Sequence, residues 1–205
     1  MRLGLLISPR DTLEPKTILL LAWLKRLLPL LSVATLLWLF TPATARVNAR
    51  RRAARLLQHP WTFPTILVVA YGVRLAWAMA YPTHPFADSE WYYRTAAQLR
   101  DGAGFVYDLK TRRPLVAWPV GYPLFLATIF RVTGPSVWVA KVANIVLAVA
   151  CVALTYDLAR RLFNVYVAAL AALLLALLPG FVVYVSLVST DLLFMTLFTG
   201  AYVAS

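Results

Sequence analysis

The chain carries only eight acidic residues among 205, and they are unevenly spread. Asp88, Glu90, Asp101 and Asp108 fall in one polar stretch, and Asp191 heads a later apolar run. Asp11 and Glu14 lie near the N-terminus, and Asp157 ends another apolar run. A carboxylate held beside apolar surroundings gains proton affinity, which suits a general base but is costly unless a cation stands close. The cations to consider are Arg74, inside an apolar run, and the cluster Lys110, Arg112 and Arg113, just after the acids. Such a cluster either meets anionic lipid headgroups in the ordinary way or clamps the phosphate of a lipid-borne substrate. Asp88, Glu90 and Asp191 are among the acids that mark where to look for chemistry. Arg74, Arg112 and Arg113 are the candidate phosphate ligands.

Each candidate also has a plainer reading. Asp88 can serve as the N-cap of a helix, worth about 1 kcal/mol, and a cap can also be a base. Arg74 and Lys141 sit within apolar runs, where an ionisable side chain is costly and marks a functional position by default. Both can instead snorkel toward headgroups, and Lys141, five residues into its run, favours that reading. His59 and His84 have no partner at metal-ligand spacing. Cys151 is the one cysteine, so no disulfide and no cysteine-based zinc site forms within the chain. No cofactor is evident, and a divalent metal has no ligand set to support it.

The elements that must position these residues are membrane spans. Apolar residues make up 61% of the chain and charged residues 14%, far from the proportions of an ordinary soluble protein. Lipid must solvate much of that surface, which excludes a cytosolic globular enzyme, a disordered chain and a collagen-like one. The net charge of +12 would suggest nucleic acid in a soluble protein. Here the arginines flank apolar runs, the positive-inside pattern of a membrane protein, and no nucleic-acid partner is expected.

Trp61–Tyr81, Ser136–Tyr156 and Val165–Ser189 are long enough to cross a bilayer, and a fourth run starts at Asp191. Arg46, Arg50, Arg51, Arg52 and Arg55 precede the first run, and Arg160 and Arg161 separate the next two. Both blocks are expected on the cytoplasmic side, so that 82–135 and the neighbourhood of Thr190 lie outside. Leu27–Ala45 is a signal sequence, an extra span or an interfacial helix; a cleaved signal would strand five arginines outside, which favours the latter two. The division is then 1–60, an N-terminal segment with a basic cytoplasmic stretch, and 61–205, a transmembrane domain.

Within the outer loop, Asp88–Arg100 reads as a helix ended by Gly102 and Gly104, with Asp88, Tyr92, Ala96 and Leu99 along one side. Prolines 119, 123 and 135 bracket Gly121–Thr133, whose thirteen residues rise about 20 Å, short of the roughly 30 Å hydrocarbon core. That stretch is expected to lie in the outer interface, with Trp118 and Tyr122 at headgroup depth. The expected fold class is all-α: a polytopic transmembrane bundle with juxtamembrane helices in an outer loop.

The order of these elements resembles a known family. Asp88-Ser-Glu-Trp-Tyr-Tyr-Arg-Thr-Ala-Ala-Gln-Leu follows the first span, then Trp118-Pro-Val-Gly-Tyr-Pro-Leu-Phe-Leu-Ala. A span with Lys141-Val-Ala-Asn144 closes at Leu158-Ala-Arg-Arg-Leu-Phe163; Leu178-Pro-Gly180 and Ser189-Thr-Asp191-Leu-Leu-Phe come next. Together they resemble the N-terminal part of the GT-C glycosyltransferases, such as protein mannosyltransferases and the aminoarabinose transferase of lipid A. The resemblance runs from about Thr62 to Ser205.

It implies transfer of a sugar from a polyprenyl-phosphate carrier to a glycan, lipid or protein acceptor at the outer face of the cytoplasmic membrane, with inversion. It implies an acidic base in the first outer loop, which Asp88 matches with Glu90 beside it. It also implies a second acidic position at the start of a later span, matched by Asp191. Trp118 and Val120 stand where the family often has a basic residue and a second proline, which shifts the phosphate role to Arg112 or Arg113. Family members have more spans than this, so the sequence is expected to be a fragment. The alternatives are a non-catalytic fragment of the same fold and a transporter subunit.

Overall fold

The structure, a computed structural model, describes residues 55–106 and 119–205, together with Lys25, Pro29 and Arg52. Asp108, Lys110, Arg112, Arg113 and Trp118, and nearly all of Leu27–Ala45, lie outside the described residues. Contacts divide the chain into Met1–Leu56 and Leu57–Ser205, and the second unit holds the helices of the bundle. Its regular structure is helical, with no strand among the described residues.

Helix α1 spans Thr62–Ala80 and α4 spans Val137–Leu162. Both are long and apolar enough to cross a membrane. Between them lie α2, Asp88–Arg100, and α3, Gly121–Thr133, with the bounds expected from the sequence. Gly102 and Gly104 follow α2 at φ 76°, a left-handed backbone that glycine adopts without a Cβ clash. Helix α4 leads through Asn164, which accepts a hydrogen bond from the Val167 amide and so caps α5, Val165–Leu177.

The third expected span is bent at Pro179. Val165–Ser189 is not one rod: α5 stops at Leu177, and α6, Pro179–Val183, leaves at a bend of 56° before a 3-10 turn over Tyr184–Ser186. Proline has no N–H to bond the carbonyl four residues back, and its ring clashes there. Leu178 accordingly turns extended. The last helix, α7, is Asp191–Ala204.

The helices alternate in direction. Phe63 near the start of α1 stacks on Tyr156 near the end of α4, with ring centroids 4.3 Å apart. At the other end Lys141 of α4 reaches the α1 terminus. Helix α7 runs alongside α4 in the same sense: Thr196 donates to the Leu147 carbonyl, and Arg161 donates to the Val203 carbonyl. Ala168, Ala172 and Ala176, one turn apart on α5, are fully buried. Small side chains at that spacing let backbones approach closely, a device of helix packing in lipid. One end of the bundle therefore gathers α2, α3, the bend at Leu178 and the start of α7. The opposite end carries Asp157 paired with Arg160 and Arg161 at 2.9 and 2.8 Å.

Candidate active site

Helix α2 lies on α3 through an aromatic seam. Tyr92 meets Tyr122 edge-on with centroids 5.9 Å apart, and Tyr93 meets Phe130 at 5.6 Å. Tyr92, Ala96, Tyr122, Leu126 and Phe130 form one buried cluster with Ala140, Ala143 and Val188. This seam fixes how α2 presents its first turn, where Asp88 and Glu90 are exposed.

Asp88 does not cap that helix, which corrects the plainer reading of it. Ala87 is the N-cap, at φ 48° and ψ −125°, and Asp88 is the first helical residue, with no side-chain cap bond. The amides of Glu90 and Trp91 donate to the Phe86 and Ala87 carbonyls at 3.4 and 3.2 Å. Those bonds take the groups a capping carboxylate would serve. Asp88 and Glu90 sit where the helix dipole favours negative charge.

Asp191 is likewise the first residue of its helix and is exposed. Tyr92 of α2 feels the charges of both Asp88 and Asp191. Tyr92 is 5% exposed and is hydrogen-bonded to the Thr190 side chain. Burial pushes its phenol above the ordinary value, the Thr190 bond works against this, and the charges of Asp88 and Asp191 both add to the rise. Asp88 and Asp191, at the heads of different helices, thus both act electrostatically on one tyrosine. Beside Asp191 a cavity of about 350 Å³ is lined chiefly by Leu178, Phe181, Tyr184, Phe194 and Met195. No group of three or more His, Cys, Asp or Glu able to hold a metal ion occurs among the described residues.

Arg74 is placed elsewhere. It is fully buried, and it donates to the carbonyls of Leu175 at 3.2 Å, Ala176 at 2.9 Å and Ala70 at 2.9 Å. Its guanidinium lies 5.2 Å from the Phe181 ring centroid. Leu175 is the residue whose carbonyl loses its helical donor to Pro179, so Arg74 satisfies the break in α5. Lys141 does not snorkel: it is 3% exposed and donates to the carbonyls of Ala78 at 3.4 Å and Tyr81 at 3.1 Å. A cation at the C-terminal end of α1 is favoured by the helix dipole. Both side chains are buried, so neither presents its charge to a lipid phosphate in this arrangement.

Sequence reasoning did not single out Tyr92, Thr190 or Tyr122 for chemistry, or Asn144 as a polar hub. The signal for Asn144 was an amide inside an apolar span, a costly residue there unless bonded.

Two helices of spanning length and a third, bent pair define an integral membrane protein. Residues 117–205 match the family described as dolichyl-phosphate-mannose-protein mannosyltransferase, which supports a membrane glycosyltransferase of the GT-C kind. The matched segment includes α3 to α7 and Asp191, and it stops short of Asp88. No curated protein and no solved structure matches the chain.

Proposed function

We propose that the chain carries the acidic half of an active site that moves a sugar from a polyprenyl-phosphate carrier to an acceptor hydroxyl at the outer face of the membrane, inverting the anomeric centre. The observation that carries this reading is that Asp88 and Asp191, exposed at the heads of separate helices, both bear on the Tyr92 phenol, with an apolar cavity beside Asp191. A sugar or serine-type hydroxyl is a poor nucleophile, and Asp88 takes its proton as it attacks the anomeric carbon. Asp191 supports the same site, with Glu90 as a neighbouring charge. The leaving group is a lipid phosphate whose growing charge needs cations, a role for Arg112 and Arg113. The apolar cavity suits the first part of the lipid chain. A protein, lipid or glycan can be the acceptor.

A broken span is also a feature of transporters, which use freed carbonyls to hold ions. Here Arg74 occupies those carbonyls, which favours the enzyme. The test is transfer of labelled sugar from polyprenyl phosphate by the full-length protein in vesicles. Asp88→Asn keeps shape but removes the base, so turnover drops about 10²-fold or more while donor binding changes little. A folded Asp88→Asn protein with near-normal turnover defeats the assignment.

A further inference from the structure

Between the bend in the third span and Asp191, the chain runs from the 3-10 turn at Tyr184–Ser186 into extended backbone at Leu187. Non-helical backbone inside a bundle needs its polar groups satisfied by side chains. Three successive carbonyls are satisfied from outside the segment. The Asn144 amide nitrogen donates to Val185 at 3.3 Å and to Leu187 at 2.7 Å, and the Thr83 hydroxyl donates to Ser186 at 3.2 Å. Asn144 is fully buried. Its carbonyl oxygen accepts from the Tyr122 hydroxyl at 2.8 Å. That bond sets which way the amide faces, because the reversed amide would turn its oxygen toward two carbonyls.

Tyr122 in turn packs against Tyr92, and Tyr92 is bonded to Thr190, next to Asp191. The path closes on itself: α4 grips the segment that delivers Asp191, and the residue that orients the grip touches the helix that carries Asp88.

We infer that Asn144, oriented by Tyr122, is a positioning residue that sets the place of Asp191 relative to Asp88 by holding the Val185–Leu187 carbonyls. The inference rests on the proposed role of Asp191. Misplacing a supporting group by about 1 Å can cost up to about 10² in rate, so the effect is expected in turnover rather than in donor binding.

The experiment is a double-mutant cycle in the full-length enzyme, reading kcat and the KM for the polyprenyl-phosphate sugar. Asn144→Leu is expected to lower kcat about 10- to 100-fold, and Tyr122→Phe about 3- to 10-fold, each with KM changed less than about twofold. In an Asp191→Asn background both losses should shrink to less than about twofold, because residues acting through one group are not additive. Tyr122→Phe deletes one oxygen and keeps the ring, so it carries the test if Asn144→Leu does not fold. Equal losses in the two backgrounds overturn the inference while leaving the role of Asp191 intact. So does a raised KM with unchanged kcat. Wild-type turnover in Asp191→Asn alone defeats the underlying reading of the site, and the inference with it.

Discussion

Replacing Arg74 by methionine isolates the stitch across the break in α5. The substitution keeps an unbranched apolar stem and removes the fork that bonds Leu175 and Ala176 on the facing helix. Stranding a buried carbonyl costs about 1–3 kcal/mol. Interhelical hydrogen bonds measured inside membranes average nearer 0.6 kcal/mol. The two carbonyls therefore bracket the loss between about 1 and 6 kcal/mol. Ala176 is fully buried, and the guanidinium also leaves the Phe181 ring, a contact worth about 0.5–2 kcal/mol. Together these place the expected loss near 3 kcal/mol.

Pro179→Ala supplies the comparison. It returns an N–H within reach of the Leu175 carbonyl, so Arg74→Met should cost about 1 kcal/mol less in that background. Reversible unfolding in mixed micelles, followed by tryptophan fluorescence, measures all four corners of the cycle. A cost below about 0.5 kcal/mol, or the same cost with alanine at 179, would falsify the idea that Arg74 exists to satisfy the proline break.

Two further outcomes follow from the geometry. Ala87 holds φ 48°, a conformation costing a non-glycine residue about 1–3 kcal/mol. Ala87→Gly should therefore raise stability by about 1 kcal/mol after its own entropy loss is counted, and a lowered unfolding midpoint would speak against that backbone. For topology, single cysteines placed at 88 and 190 should react with an impermeant thiol reagent from outside, and one at 161 should not; external labelling at 161 would reverse the orientation.

Much of the scaffold was legible because its signals are local. Apolar length marked α1 and α4, and prolines 119, 123 and 135 with Gly134 bracketed α3. The misreadings came where a local signal had a distant competitor. Asp88 ahead of an apolar-sided helix looks like a cap, yet the turn at Ala87 let the Phe86 and Ala87 carbonyls take the amides a cap would serve. Val165–Ser189 is apolar throughout and long enough to span; Leu178-Pro-Gly180 marks a break in it, but not the angle of 56°. The partners of Arg74 lie 101 and 102 residues away, and that of Lys141 at Tyr81 is 60 residues away. No spacing rule reaches so far. That Asp88 and Asp191 both bear on Tyr92 was hidden for the same reason. Burial of Tyr92 could be expected from its side of α2, but not that Thr190 would be there to meet it.

A common logic joins these long-range contacts. Arg74, Lys141, Asn144 and Thr83 all donate to carbonyls where a helix ends or breaks. In lipid each such carbonyl needs a partner, and a helix that simply continued would need none of these residues. Among the described residues, the bundle departs from straight spans at the end that carries α2 and α3, and these four donors stabilise that departure. Asp88 and Asp191 are treated differently: both head a helix there, and both are exposed. Arg74 fills the carbonyls at the break, and the two acids stay exposed, as the proposed enzyme role requires. A transport pathway would need the reverse, with carbonyls open at mid-membrane and side chains free to trade places with an ion.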